Sequence, residues 1–275
     1  MNERSGSNLK AKLILLAGVF SCSMSSAFFR YMTAPSTIAA TYRLGWTVLL
    51  LTPLIFSKRE TRKELLSLKG KDLAFCGLSG LFLAMHFVVW FESLSNTSIA
   101  SSTVLVNTEV AFAAFGYLIF FGKKIRKKEI LAIGIAFLGS VVIAMADTGG
   151  GAGKNAVLGD ILALLAAFFS ACYTLIGTRE RSHMSTMVYT YVLYWGCFLS
   201  LLVFDAVSGV PMTGYEPINW IMSLCLAVFC TLLGHSVFSW SLKFLTPTYV
   251  STVKLAGPVF ASISAILLFG EIPGL

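Results

Sequence analysis

Apolar positions gather into nine runs of about 17 to 24 residues, at roughly 13–29, 36–56, 73–94, 98–121, 129–146, 156–177, 185–207, 218–241 and 248–270. A bilayer's hydrocarbon core of ~30 Å takes about 20 helical residues to cross, so each run predicts a membrane-spanning helix. The polar segments between the runs are short, and their cations alternate. With the N-terminus placed in the cytoplasm, 17 of the 21 Lys and Arg fall on the cytoplasmic side. They lie in the N-terminal segment, between Lys58 and Lys71, between Lys123 and Lys128, at Arg179 and Arg181, and at Lys243. Arg30 and Lys154 fall outside, while Arg43 and Lys254 lie within spans. Cations concentrated on inner loops set orientation. The pattern predicts an all-α polytopic membrane protein.

Composition narrows this further. The chain is 56% hydrophobic and 12% charged, about half the usual charged share, which excludes a soluble globular domain. A net charge of +8 would suit nucleic acid in a soluble protein. Here the cations sit at helix ends beside anionic headgroups, so membrane lipids are the expected partner and nucleic acid is not. The six cysteines lie in apolar runs without a CxxC pair, which argues against a disulfide framework or a zinc site. No cofactor is expected. The spans hold no HExxH, GxSxG or paired-Asp signature, so enzyme chemistry is not expected either.

The chain also repeats itself. Val110 to Gly122 aligns without gaps on Pro258 to Gly270, with Phe112/Phe260, Ala113/Ala261, Phe121/Phe269 and Gly122/Gly270 identical. Tyr42-Arg-Leu-Gly-Trp46 echoes Tyr191-Val-Leu-Tyr-Trp195, and His86 with Trp90 echoes His235 with Trp240, one residue looser. These matches keep a common order within two blocks, residues 1–148 and 149–275, joined at the glycine-rich segment 149–153. Five spans per block is an odd number, so the second block enters from the opposite face. Such inverted repeats let a secondary transporter expose one central site to either side in turn. A complete second block needs a tenth helix after Gly270, and the expectation is that this chain lacks it.

The combination of motifs resembles the EamA repeat of the drug/metabolite transporter superfamily. It is carried by Phe-Gly-Lys at 121–123 and Phe-Gly-Glu at 269–271, the segment 93–105, Gly159-Asp160 with the apolar residues that follow, and Gly234-His235 through Lys243. The resemblance implies a ten-helix fold of two inverted five-helix halves, both termini in the cytoplasm, a bacterial inner-membrane location, and alternating access to a central cavity. It implies a secondary active transporter exporting or exchanging a small polar or amphipathic metabolite, such as an amino-acid-like solute, and leaves the substrate open. A proton or counter-substrate is the expected coupling species, and a homodimer is compatible with the family. A channel or sensory membrane module is the alternative. Two departures stand out: Val110 replaces the second copy's Pro258, so the first half is expected to lack that helix break, and Lys123 replaces the acid kept at Glu271.

Ionisable groups at membrane depth cost at least ~2.5 kcal/mol each to insert, so they are candidates for substrate binding or coupling. Glu109 lies mid-span, where it can bind an amine, move a proton, or serve a static ion pair. The repeat alignment sets Lys254 opposite Val106, one turn from Glu109, so the two can meet or clamp a zwitterion; alternatively Lys254 snorkels to the surface. Arg43 offers a planar fork for a substrate carboxylate or a partner for Glu92, with a structural or gating role as the equal alternative that the family resemblance favours. His86 and Trp90 share one helix face, and His235 and Trp240 are their second-half counterparts. Tyr42 and Tyr191 are candidate stacking groups, and Asn107 a polar contact or an interhelical hydrogen bond. The small-residue runs at 21–27 and 166–171 read as close-packing surfaces.

Overall fold

The structure, a computed structural model, describes residues 2–122, 155–241, 244–245 and 247–270, with isolated positions 130, 131, 134, 135, 138 and 139 between. The rest of the span expected at 129–146, and the chain end on which the tenth-helix expectation rests, lie outside the described residues. The described residues are helical, without strands. In chain order they form α1 (Asn2–Ser23), α2 (Ser25–Arg30), α3 (Ser36–Ser57), α4 (Arg59–Leu66), α5 (Gly70–Asn96), α6 (Ile99–Val106) and α7 (Glu109–Phe121). After the gap come α8 (Ala156–Glu180), α9 (Thr186–Ser208), α10 (Pro217–Cys225), a π-helical segment (Leu226–His235), α11 (Ser236–Ser241), α12 (Pro247–Lys254) and α13 (Gly257–Phe269). Among the described residues, seven helical stretches are long and apolar enough to cross a membrane, counting α1 with α2, α6 with α7, and α10 with the π segment as single spans.

Packing in a membrane favours small residues that let backbones approach, because lipid tails solvate apolar side chains as well as protein does. The longest helix, α5, packs along α8 and α9, and α9 packs on α3. Gly80 makes the α5–α9 crossing possible: a Cβ there would sit 2.6 Å from the Cys197 backbone nitrogen. Leu44 of α3, Leu83, Phe87 and Phe91 of α5, and Leu193 and Tyr194 of α9 are buried in the shared interior. Leu49, Phe115, Phe120 and Leu267 stay exposed on the outer faces, as lipid-facing residues should.

Between the second and third spans, the polar segment forms the short helix α4. Its Glu64 carboxylate accepts a hydrogen bond from the Ser185 N–H at 2.6 Å, where α9 begins. The eighth span was expected as one regular helix, yet its middle is π-helical. That widened segment packs on α1, where a Cβ at Gly234 would meet Cys22 at 3.0 Å.

Two spans are broken. Under the repeat alignment, the bounds of α6 and α7 coincide with those of α12 and α13: Ile99 with Pro247, Val106 with Lys254, Glu109 with Gly257, Phe121 with Phe269. Both second pieces, α7 and α13, end on a glycine in the left-handed region, Gly122 at φ 61° and Gly270 at φ 67°, where a side chain would be strained. The expectation that the first half lacks the break is therefore corrected. Proline is one way to end a helix; polar side chains that take up the released carbonyls are another. Asn107 Nδ2 donates to the Thr103 carbonyl at 2.6 Å, and Thr108 Oγ1 to the Leu105 carbonyl at 2.7 Å. The backbone tightens to three-residue bonds there, from Asn107 N to Val104 O and from Thr108 N to Leu105 O.

Candidate functional site

The two breaks meet at a cavity of about 80 Å³, several times what one buried water needs. A Cβ at Gly257 would lie 4.0 Å from Asn107 Nδ2, so the start of α13 faces the break in the first half. Glu109 is the first residue of α7 and Lys254 the last of α12. A helix N-terminus favours an anion and a C-terminus a cation, by about 0.3–1 kcal/mol in exposed cases and more when buried. Each charge thus stands at the helix end that stabilises it. Lys254 Nζ donates to Glu109 Oε1 at 2.5 Å, Ser170 Oγ donates to Glu109 Oε2, and the ammonium lies 5.3 Å from the Phe238 ring centre. Lys254 does not snorkel: its side chain is 16% exposed and turned onto the acid.

The histidines complete the wall. His86 Nδ1 lies 2.9 Å from the Ala166 carbonyl. A carbonyl only accepts, so Nδ1 is the donor and a neutral ring keeps Nε2 as a free acceptor. The Trp90 ring stacks on His86 at 6.0 Å and 15°. His235 Nδ1 is 3.3 Å from the Tyr173 hydroxyl, and Phe87 meets the imidazole edge-on. Glu109, Lys254, His86, Trp90, His235 and Asn107 all line this one cavity.

Other candidates lie elsewhere. Arg43 is fully buried outside the cavity wall and does not pair with Glu92. Its Nε donates to Thr231 Oγ1 at 2.7 Å, its Nη1 to Ser25 Oγ at 3.2 Å, and its plane lies over Phe87 at 4.2 Å. The guanidinium therefore joins α3 to the start of α2 and to the π segment, the widened turn presenting Thr231. Glu92 instead accepts from Ser36 Oγ at 2.8 Å and from Asn96. Tyr42 stacks on Trp220 and donates to the Met212 carbonyl, Tyr191 meets Thr52 Oγ1 at 3.1 Å, and Trp240 packs on Phe244. None of these three lines the cavity.

Sequence reasoning passed over Cys22, Ser23, Ser26 and Ser170 as site residues, yet they form part of the wall. The mirrored small-residue runs in the first and sixth spans were the signal. They bring helices close, and the same small side chains leave the space between them.

The chain matches the sequence profile of the EamA-like transporter family over residues 9–145 and 157–275. An uncharacterized transporter of Clostridium kluyveri is 27% identical, the match covering 81% of this chain and 72% of that protein. A protein of Salmonella typhimurium named as a probable amino-acid metabolite efflux pump is 26% identical over 55% of this chain and 53% of its own length. A solved crystal structure superposes with a TM-score of 0.71 at 16% identity, covering 96% of this chain and 90% of that one, which shows a shared fold. The seven membrane-length helices and the family match across nearly the whole chain agree: this is a multi-pass membrane protein that belongs to the EamA-like transporter family.

Proposed function

We propose that the protein is a secondary active transporter of the plasma membrane, its N-terminus cytoplasmic, that exports or exchanges a small zwitterionic, amino-acid-like solute by alternating access. One observation carries this reading. Glu109 and Lys254, one charge from each inverted half, pair across the wall of the same cavity. A zwitterion offers each of them a replacement partner: its ammonium for Glu109, its carboxylate for Lys254. Breaking a buried pair by removing one member leaves an uncompensated charge, at roughly 3–5 kcal/mol. Exchanging partners with the substrate avoids that penalty, so occupancy and release can alternate with the closed pair. His86 Nε2 and the hydroxyls of Ser23 and Ser26 add polar contacts beside it. The efflux-pump names of the relatives in Salmonella typhimurium and Escherichia coli point to the same solute class.

Purified protein in liposomes preloaded with unlabelled amino acids is expected to take up labelled amino acid by saturable counterflow. The Glu109→Gln variant should lose at least about tenfold in rate, equivalent to 1.4 kcal/mol. Linear, non-saturating flux without counterflow would instead favour a channel, and full activity of the variant would remove the pair from the mechanism.

A further inference from the structure

A second constellation lies away from the cavity, on the face that the loop cations assign to the cytoplasm. Asp72 in the first turn of α5, Glu180 at the end of α8, and His183 in the turn that follows bring one ligand atom each to within 4.8 Å of one another. His183 Nε2 is 3.4 Å from Asp72 Oδ1 and 3.5 Å from Glu180 Oε2. Both distances exceed the usual 2.7–3.2 Å of N–H···O hydrogen bonds. The two His183 distances fall in the ligand–ligand range of a tetrahedral zinc site, where ligands ~2.0–2.2 Å from the ion stand roughly 3.3–3.6 Å apart, and the Asp72 and Glu180 oxygens lie within 4.8 Å of each other. Glu180 makes the second, independent observation. Its side chain is 2% exposed, and Oε2, the atom turned toward His183, accepts no hydrogen bond among the described residues. Arg179 approaches only the other oxygen, Oε1, at 3.8 Å, and its guanidinium lies over Phe75. Asp72 is similarly divided, with Oδ2 capping α5 through the Lys69 N–H and Oδ1 left for the site.

We propose that Asp72, Glu180 and His183 bind a divalent transition-metal ion of the zinc type, with water in the fourth position. One imidazole and two carboxylates suit such an ion in both charge and ligand type. The ion would neutralise the buried Glu180 oxygen and tie α5, from the first half, to α8, from the second.

The test uses full-length protein in detergent, stripped with chelator and titrated with Zn²⁺ by calorimetry and with Co²⁺ by visible absorption. One ion per chain is expected, with an intense tetrahedral cobalt band. His183→Asn and Asp72→Asn should each weaken binding at least about tenfold. His183 is half exposed, and Asn keeps a carbonyl oxygen able to cap α5, so both variants should fold; unchanged melting of the metal-free proteins checks this. Lack of saturable binding would overturn the proposal. So would binding of undiminished strength in both variants, which would place the ion on thiols or the N-terminal segment.

Discussion

The junction between α6 and α7 and the junction between α12 and α13 have the same backbone and opposite chemistry. Each interrupts a span at the same aligned positions, and each second piece ends on a left-handed glycine. At the first, Asn107 and Thr108 close the break with their side chains, and the new helix starts on an acid. At the second, Pro258 stands in the first turn of α13, Gly257 replaces the acid, and Lys254 replaces Val106. The inverted repeat thus fixes where helix ends face the cavity and leaves open what they carry. Had both halves kept the acid, two carboxylates would meet there and one would have to hold a proton. The two halves instead carry opposite charges there, Glu109 and Lys254, which pair.

Proline placed in the interior of α7 and at its start separates a continuous helix from a true helix end. Ala114→Pro, in the interior of α7, should destabilise by about 3 kcal/mol or more, because the ring clashes with the preceding turn and removes a bond. Val110→Pro should cost less than about 1 kcal/mol, since it merely copies the second half into a first turn that tolerates it. The amide it removes makes only a 3.3 Å contact to the Asn107 carbonyl. Equal losses in denaturation of the two purified variants would mean the first break is not a true helix end. A smaller contrast separates the two closing devices. Asn107→Leu should lose about 1–3 kcal/mol by stripping the Thr103 carbonyl of its donor. Pro258→Ala should lose about 1 kcal/mol or less, mostly through greater freedom of the unfolded chain. Thermal unfolding of the pair in one detergent compares them directly.

What the sequence made legible follows from which forces act locally. The spans could be read because a run of apolar residues has few alternatives in a bilayer. The Glu109–Lys254 contact was approachable because buried charge is expensive and the repeat alignment sets the two a turn apart. The first-half break was missed because its agents, Asn107 and Thr108, look like ordinary polar residues, whereas proline announces itself. The π segment has no such marker; it is a shift of hydrogen-bond register that places Thr231 beside Arg43. For Arg43 the planar fork left a carboxylate role and a structural role equally open, and hydroxyls and the face of Phe87 hold it. Tyr42, Tyr191 and Trp240 echo across the repeat without sharing a wall, since a local match says nothing of which helix face turns inward.

The proposed transport mechanism requires Glu109 and Lys254 to handle substrate rather than merely brace the fold. Replacing them singly and together, as Glu109→Leu and Lys254→Met, separates the two roles. Each single variant should be strongly destabilised by its unpaired charge, and the double variant should recover native stability within about 1 kcal/mol. This stable double variant is expected to show no amino-acid counterflow in liposomes. Counterflow at the native rate would contradict that mechanism.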